Sequence, residues 1–201
     1  MLSDTVFLFD SYSADSKQLY DSFRKAGCEC SAIVLEENDF LPEEVMSPYD
    51  MFLGYYGGSG KKSGIGKPRF FNEIVAPDEW SIHSGAGLAN YGTVTWHHEE
   101  KGRIYYLDSA KKYLVKAVDW FDRKGNVRFR DHYNRYGAVC ARTFFDGQGK
   151  ELGKTWFSAE GKEAITLNCV TGDLIVNDGE LIKFFRTKAD MIFYSNFAHK
   201  F

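Results

Sequence analysis

The chain has 201 residues, of which 44% are hydrophobic and 16% aromatic, with a formal net charge of −3. This length and apolar content support one large or two small folded domains and exclude a disordered chain. The balance of charge provides no overall field for nucleic acid, and no run approaches the ~20 apolar residues of a membrane span.

Met1-Leu2-Ser3-Asp4 has no basic segment and the apolar run after it is short, so no signal peptide is read and a cytoplasmic location is expected. Val6-Phe7-Leu8-Phe9 reads as a strand buried on both faces. Ser13 or Ser16 caps a helix whose Leu19, Phe23 and Ala26 share a face, and Gly27 stands where a helix-ending glycine belongs. Ala32-Ile33-Val34-Leu35 is a second buried strand. These elements form a β-α-β unit, which crosses over right-handed. Pro42 to Pro48 reads as a helical turn or loop.

Tyr55 to Pro68 has the composition of a linker or long loop. Its glycines and lysines lack phosphate-loop spacing: neither Gly60-Lys61 nor Gly66-Lys67 has a glycine five residues before its own, and Pro68 opposes a helix start. Phe70 to Ile82 reads as an edge strand and an extended segment. Thr93–His97 and Arg103–Leu107 read as a hairpin turning around Glu99-Glu100-Lys101-Gly102.

From Tyr113 to Phe185 apolar and polar residues alternate between turn signals. Arg123-Lys124-Gly125-Asn126, Asp146-Gly147-Gln148-Gly149, Ala159-Glu160-Gly161 and Asp178-Gly179 punctuate an antiparallel meander of about seven strands, each of roughly five to seven residues. The interval from Asp122 to Asp146 is far longer than the next, which speaks against a regular repeat. Ala189 to Phe197 reads as a helix whose Met191, Ile192 and Phe197 lack a following layer, as in a piece of a longer protein. The fold class is thus α+β, a short Rossmann-like opening followed by a large antiparallel sheet.

Little in the chain is spaced for catalysis. Cys28, Cys30, Cys140 and Cys169 have no zinc spacing and read as free thiols. Adjacent His97 and His98 on a strand would point to opposite faces and could not share an ion without a bend, so with Glu99-Glu100 they read as a solvated hairpin end. Glu36-Glu37, Glu43-Glu44 and Glu99-Glu100 read as solvent-facing pairs. Asp10 stands where α/β sheets place ligands, or as a cap leading the helix. No metal or cofactor is expected.

The most informative polar pattern is Val127 to Asn134. Alternation puts Val127, Phe129, Asp131 and Tyr133 on one face and Arg128, Arg130, His132 and Asn134 on the other. That second row suits a polar peptide or sugar, and equally the ordinary solvated face of a one-sided sheet. Trp120, Tyr136 and Trp156 are stacking platforms or core.

Several blocks carry a resemblance that spans nearly the whole chain in order. They include Leu8-Phe9-Asp10, Leu19-Tyr20-Asp21-Ser22, Ile33-Val34-Leu35-Glu36, Asp39-Phe40-Leu41-Pro42, Ser47-Pro48-Tyr49, Phe52-Leu53-Gly54, Gly66-Lys67-Pro68, Val118-Asp119-Trp120 and Val127-Arg128-Phe129. The weightiest are Asp131-His132-Tyr133-Asn134-Arg135-Tyr136-Gly137 and Val170-Thr171-Gly172-Asp173-Leu174-Ile175. With these the chain resembles the N-terminal part of the non-catalytic, chaperone-like subunits of the accessory Sec O-linked N-acetylglucosaminyltransferase.

The resemblance implies a two-Rossmann-domain, glycosyltransferase-like protein with an extended sheet inserted in its N-terminal half. Residues 1–54 would begin that half, 55–188 form the sheet, and 189–201 start a helix returning to it. The implied partners are a catalytic O-GlcNAc transferase subunit and a serine-rich-repeat adhesin polypeptide. The implied place is the cytoplasm or the cytoplasmic side of the membrane. Exposed sheet edges leave a homo-oligomer open. Family members are roughly twice as long or more, in keeping with further domains. The sugar-nucleotide site of such enzymes lies mainly in the missing half, so transfer by this chain alone is not implied. An N-terminal part of an active glycosyltransferase, acting on protein or teichoic acid, and a carbohydrate-binding β module remain the alternatives.

Overall fold

The computed structural model describes residues 5–50, 52–54, 66–85, 90–107, 113–177, 179 and 181–198. The glycine- and lysine-rich run 55–65 and Asp178 of the last expected turn lie outside the described residues.

The chain opens with β1 (Thr5–Phe9), α1 (Ala14–Lys25), β2 (Cys30–Val34) and the two-residue β3 (Val45–Met46), paired parallel in the order β1-β2-β3. Ser13 is the helix cap: its hydroxyl accepts the Ser16 N–H at 3.1 Å, offsetting one of the orphan donors of the first turn. Gly27 leaves the helix at φ 84°, as read.

Three details differ from the sequence reading. The expected turn at Pro42–Pro48 contains β3. The residue α1 buries is Tyr20, packed with Ala32, Val34, Leu41 and Val45, while Leu19 and Phe23 stay exposed. β1 is covered on one face only: Phe7 and Phe9 meet the helix side, and Val6 and Leu8 point outward.

Ten further strands make one antiparallel sheet in chain order, without a crossover. They are β4 (Ser81–His83), β5 (Tyr91–Trp96), β6 (Glu99–Tyr106), β7 (Val115–Phe121), β8 (Val127–Tyr133), β9 (Val139–Phe145), β10 (Glu151–Phe157), β11 (Glu163–Asn168), β12 (Leu174–Asn177) and β13 (Ile182–Phe185). The seven strands expected after Tyr113 are β7 to β13. Helix α2 (Lys188–Ala198) follows. The edge strand expected within Phe70–Ile82 is β4, at its C-terminal end, and Phe71–Glu73 before it form a 3-10 turn.

The hairpin between β5 and β6 turns at His97-His98, not at Glu99–Gly102, because Trp96 pairs with Glu99. Both histidines have positive φ, 48° and 66°. That is the backbone a two-residue hairpin demands, met here without glycine.

The meander has a regularity that the Asp-Gly signals hide. Asp122, Asn134, Asp146 and Ser158 stand twelve residues apart, and each is followed three residues later by glycine: Gly125, Gly137, Gly149 and Gly161. Every turn is closed the same way. The glycine N–H donates to the carbonyl of the first residue, and that residue's N–H donates to the carbonyl four positions on. The first side chain accepts further backbone N–H groups: Asp122 from Lys124 and Asn126, Asn134 from Tyr136 and Ala138, Asp146 from Gln148 and Lys150, Ser158 from Glu160 and Lys162. All four glycines have φ between 77° and 83°. This is a three-residue loop with a left-handed residue at its end. The uneven spacing in the sequence reading came from missing the Asn134 turn. In the Asp146 turn the left-handed residue is Gly149, not Gly147.

The sheet is a single layer, covered on opposite faces at opposite ends. Register places Ile104, Val118, Asp131, Arg142, Thr155, Thr166, Ile175 and Phe184 in one row, and Arg103, Asp119, Arg130, Thr143, Lys154, Leu167 and Leu174 in the neighbouring row on the reverse. On the Ile104 face, Val94, Ile104, Val118 and Tyr133 bury Ile74, with Phe71 and Trp80 against them. On the reverse, Trp156, Ile165, Leu167, Leu174 and Val176 pack with Tyr49, Phe52, Leu53 and Met191. The N-terminal unit and α2 therefore share the cluster formed by β9 to β12.

Gly66 and Gly137 hold the 66–69 segment on the Asn134 turn. A Cβ on Gly137 would lie 2.4 Å from the Lys67 carbonyl oxygen, whereas a Cβ on Gly125, at nearly the same φ, would meet nothing within 4 Å. Gly125→Ala should cost about 1–2 kcal/mol, the left-handed penalty alone. Gly137→Ala should cost about 1–3 kcal/mol more from overpacking. Urea midpoints of the two variants test this, and equal losses would show that the segment does not press on the turn.

Candidate functional site

The repeat sets up a ladder of charge. Counted from the start of each strand, position five, Asp119 on β7 and Asp131 on β8, faces position four of the next strand, Arg130 and Arg142. Arg130 holds both oxygens of Asp119, at 2.5 and 2.9 Å. Arg142 holds both of Asp131, at 2.6 and 3.1 Å, and the Trp120 indole N–H joins that carboxylate at 2.9 Å. The two acids are only 2% and 5% exposed. Leaving either without its arginine would strand a buried charge, a loss of about 3–5 kcal/mol. Arg130 and Asp131 are consecutive on β8 and side chains alternate along a strand, so the two pairs lie on opposite faces.

Each arginine also lies against aromatic rings. Arg142 stands 4.3 Å from the Phe129 centroid, and Arg130 5.3 Å from Tyr105 and 5.8 Å from Phe145. On the same face as Arg130, Arg103 sits 4.8 Å from Tyr91 and takes both oxygens of Glu100 at 3.0 Å. The uncovered part of that face is a platform of paired guanidiniums and rings.

The structure separates the four residues read from the sequence. Arg128 is exposed on β8. Arg130 is committed to Asp119. His132 bonds Thr143 Oγ1 at 2.9 Å, and its pKa is held down at about 3, first by burial and then by Lys154, Arg130 and Lys116. It is a neutral ring at physiological pH. Asn134 does not continue the row: it is buried, and its side-chain oxygen caps the turn. Trp156 is 1% exposed and stacks on Tyr49 at 5.2 Å, so it is core rather than a platform for sugar.

A second site, unread in the sequence, lies where the N-terminal unit meets the sheet. Glu37 Oε1 accepts from Lys154 Nζ and, at 2.9 Å, from Trp156 Nε1. Arg135 in the Asn134 turn donates its N–H to the Asp39 carbonyl at 3.1 Å and its guanidinium to the Leu41 carbonyl at 2.7 Å. Ala159 in the Ser158 turn donates to the Leu53 carbonyl at 2.8 Å. Two of the repeated turns thus grip the N-terminal unit. The cavity between them, lined by Glu37, Asp39, Tyr49, Asp50, Arg135 and Trp156 among others, is about 30 Å³. That is room for about two waters, an order of magnitude below a ligand pocket. Among the described residues no group of three or more His, Cys, Asp or Glu is placed to hold a metal, and no helix is long and apolar enough to cross a membrane.

Comparison with known proteins gives consistent matches. The family description "GtfB middle domain" matches residues 80–186 and "GtfB N-terminal domain" matches residues 6–52. A curated relative from Streptococcus gordonii, the UDP-N-acetylglucosamine–peptide N-acetylglucosaminyltransferase stabilizing protein GtfB, is 38% identical over 191 residues, 93% of this chain and 40% of the relative. Its namesake from Streptococcus pneumoniae is 33% identical over 188 residues, again 93% and 40%. A chain in the crystal structure of a GtfA/B complex bound to UDP and GlcNAc superposes with a TM-score of 0.81 at 37% identity, covering 94% of this chain and 41% of that one. The chain therefore spans about 40% of the length of the curated relatives it matches.

Burial, then the neighbouring Glu37, pushes the Asp39 carboxyl up to about 6. The folded value lies above the unfolded one, so its contribution is full below about pH 4 and is lost as pH rises through about 6. Asp39→Asn should stabilise the chain at pH 7 by on the order of 1–2 kcal/mol and flatten the pH dependence between about 4 and 6. Urea titrations at pH 5 and pH 7 measure it, and a variant that still tracks the parent's pH dependence would assign it to another group.

Proposed function

Because this chain belongs to the GtfB family, we propose that it is the assembly part of a non-catalytic, glycosyltransferase-stabilizing subunit. In this reading residues 1–54 begin a Rossmann-like domain, 55–188 are the extended sheet domain, and 189–201 start a helix that returns to the first domain. The whole protein would pair with a catalytic O-GlcNAc transferase subunit. The pair would modify a serine-rich-repeat adhesin polypeptide before accessory Sec export, at the cytoplasmic side of the membrane.

One observation carries the reading: a single-layer sheet that the described residues cover on opposite faces at its two ends, leaving the rest of each face open among them. Sheets of this kind bind by area. The open part beside β5 to β8 presents Arg128, with Arg130 and Arg103 held upright by their carboxylates. The open part beside β9 to β13 presents Phe144, Ile175 and Phe184, which are 41%, 47% and 61% exposed. In the proposed site Arg128 makes contact with the partner or acceptor, Arg130 shapes the platform, and His132 and Asn134 support it from within. The strand edges at β4 and β13 are the places where a second copy would add. The division of the family match into residues 6–52 and 80–186 supports the domain boundaries.

Two measurements test this. Affinity capture of the full-length gene product should recover a second, glycosyltransferase-like chain in near-equal amount. Recovery alone, with sugar transfer from a nucleotide donor, would make the protein an enzyme in its own right. Arg128→Ala should leave the urea midpoint unchanged and weaken the complex about fivefold, the worth of one exposed charge of ~1 kcal/mol. Unchanged affinity would move the contact off this face.

A further inference from the structure

The charge ladder breaks at its third rung. Positions four and five of the strands give Asp119 opposite Arg130 and Asp131 opposite Arg142, and the next step would place an acid opposite Lys154. The residue there is Thr143, 2% exposed and directly paired with Lys154. Lys154, 12% exposed at its side chain, instead reaches out of the sheet to Glu37 of the N-terminal unit. Within the sheet Lys154 also stands 4.9 Å from the centroid of the Trp156 ring, and among the described residues the carboxylate it reaches is that of Glu37.

We propose that Lys154 is a rung released from the sheet's own ladder, and that its contact with Glu37 is the latch fixing the N-terminal unit on the sheet. A carboxylate presented opposite Lys154 would then draw the lysine back and loosen the unit, which keeps its Arg135 and Ala159 contacts. The neighbours favour this outcome. Arg130, the other residue opposed to Thr143, is already held by both oxygens of Asp119. His132, which bonds the Thr143 hydroxyl, is neutral. Lys154 is the cation left to answer a new charge. Glu37 would lose its ammonium and keep only the indole N–H of Trp156. The inference concerns how the two parts of this chain are joined, and it does not rest on the proposed partner.

The Trp156 indole N–H reports on the latch, and the Trp120 indole N–H, bonded to Asp131, reports on an intact rung. Hydrogen exchange of both, followed by NMR in the 201-residue chain, is the experiment. Thr143→Asp should speed exchange of the Trp156 indole and of the amides of β2 and β3 tenfold or more, with the Trp120 indole and the β7–β8 amides unchanged. Thr143→Asn, similar in size without charge, should leave all of them as in the parent. If Thr143→Asp fails to fold, Glu37→Gln takes its place and should give the same selective loosening. Full protection of the Trp156 indole in a folded Thr143→Asp, or in Glu37→Gln, would overturn the proposal. So would equal loosening by Thr143→Asn.

Discussion

A sheet one layer thick has no opposite layer to hold its strands in register, so that work falls to its turns. Here four turns of identical construction do it. A side chain with an acceptor oxygen gathers the loop's N–H groups, and a glycine in the left-handed region closes the loop three residues later. Turn and strand together repeat every twelve residues. Because side chains alternate along a strand, a slip of one residue would turn each row to the wrong face. Buried Asp119 and Asp131 make such a slip costly, since each has its charge balanced by the arginine directly opposed to it.

Much of this order was legible in the residues and some was not. The seven strands after Tyr113 show in alternation and turn chemistry, and the β-α-β opening shows in its two apolar runs and the Ser13 cap. The Asn134 turn escaped because Asn134-Arg135-Tyr136-Gly137 looks like the tail of a polar strand. Its period appears only when Asp, Asn and Ser are treated as one class of acceptor at equal intervals. His97-His98 reads as a hairpin end, but the turn itself is displaced in that reading onto the charged run beside it, because the pair lacks the glycine that marks a two-residue turn. The site residues were harder still. Alternation put Arg128, Arg130 and His132 on one face correctly, but only cross-strand register reveals that Arg130 is neutralised and His132 enclosed. Glu37 and Lys154 are 117 residues apart, and nothing local links them.

Two clusters of apolar side chains explain how the ten-stranded sheet holds together without another layer of strands laid across it. Residues 70–80 cover one face near β5 to β8, and the N-terminal unit with α2 covers the other near β9 to β12. Polar contacts set the position of those covers. Arg135 and Ala159 bind carbonyls of the N-terminal unit, Glu37 binds Lys154 and Trp156, and Tyr49 lies flat on the Trp156 ring. Apolar burial supplies most of the free energy, while these directed bonds decide which way the cover faces.

The twelve-residue period has a consequence for how such a sheet can change in length. One added unit contributes a single strand, and since equivalent positions of successive units lie on opposite faces it carries every later row to the other side. The cluster that receives the N-terminal unit would then face away from it. Two added units, twenty-four residues, restore both direction and face. The meander can therefore grow or shrink through hairpins but not through single strands, and its width is quantised by the pairing of its turns.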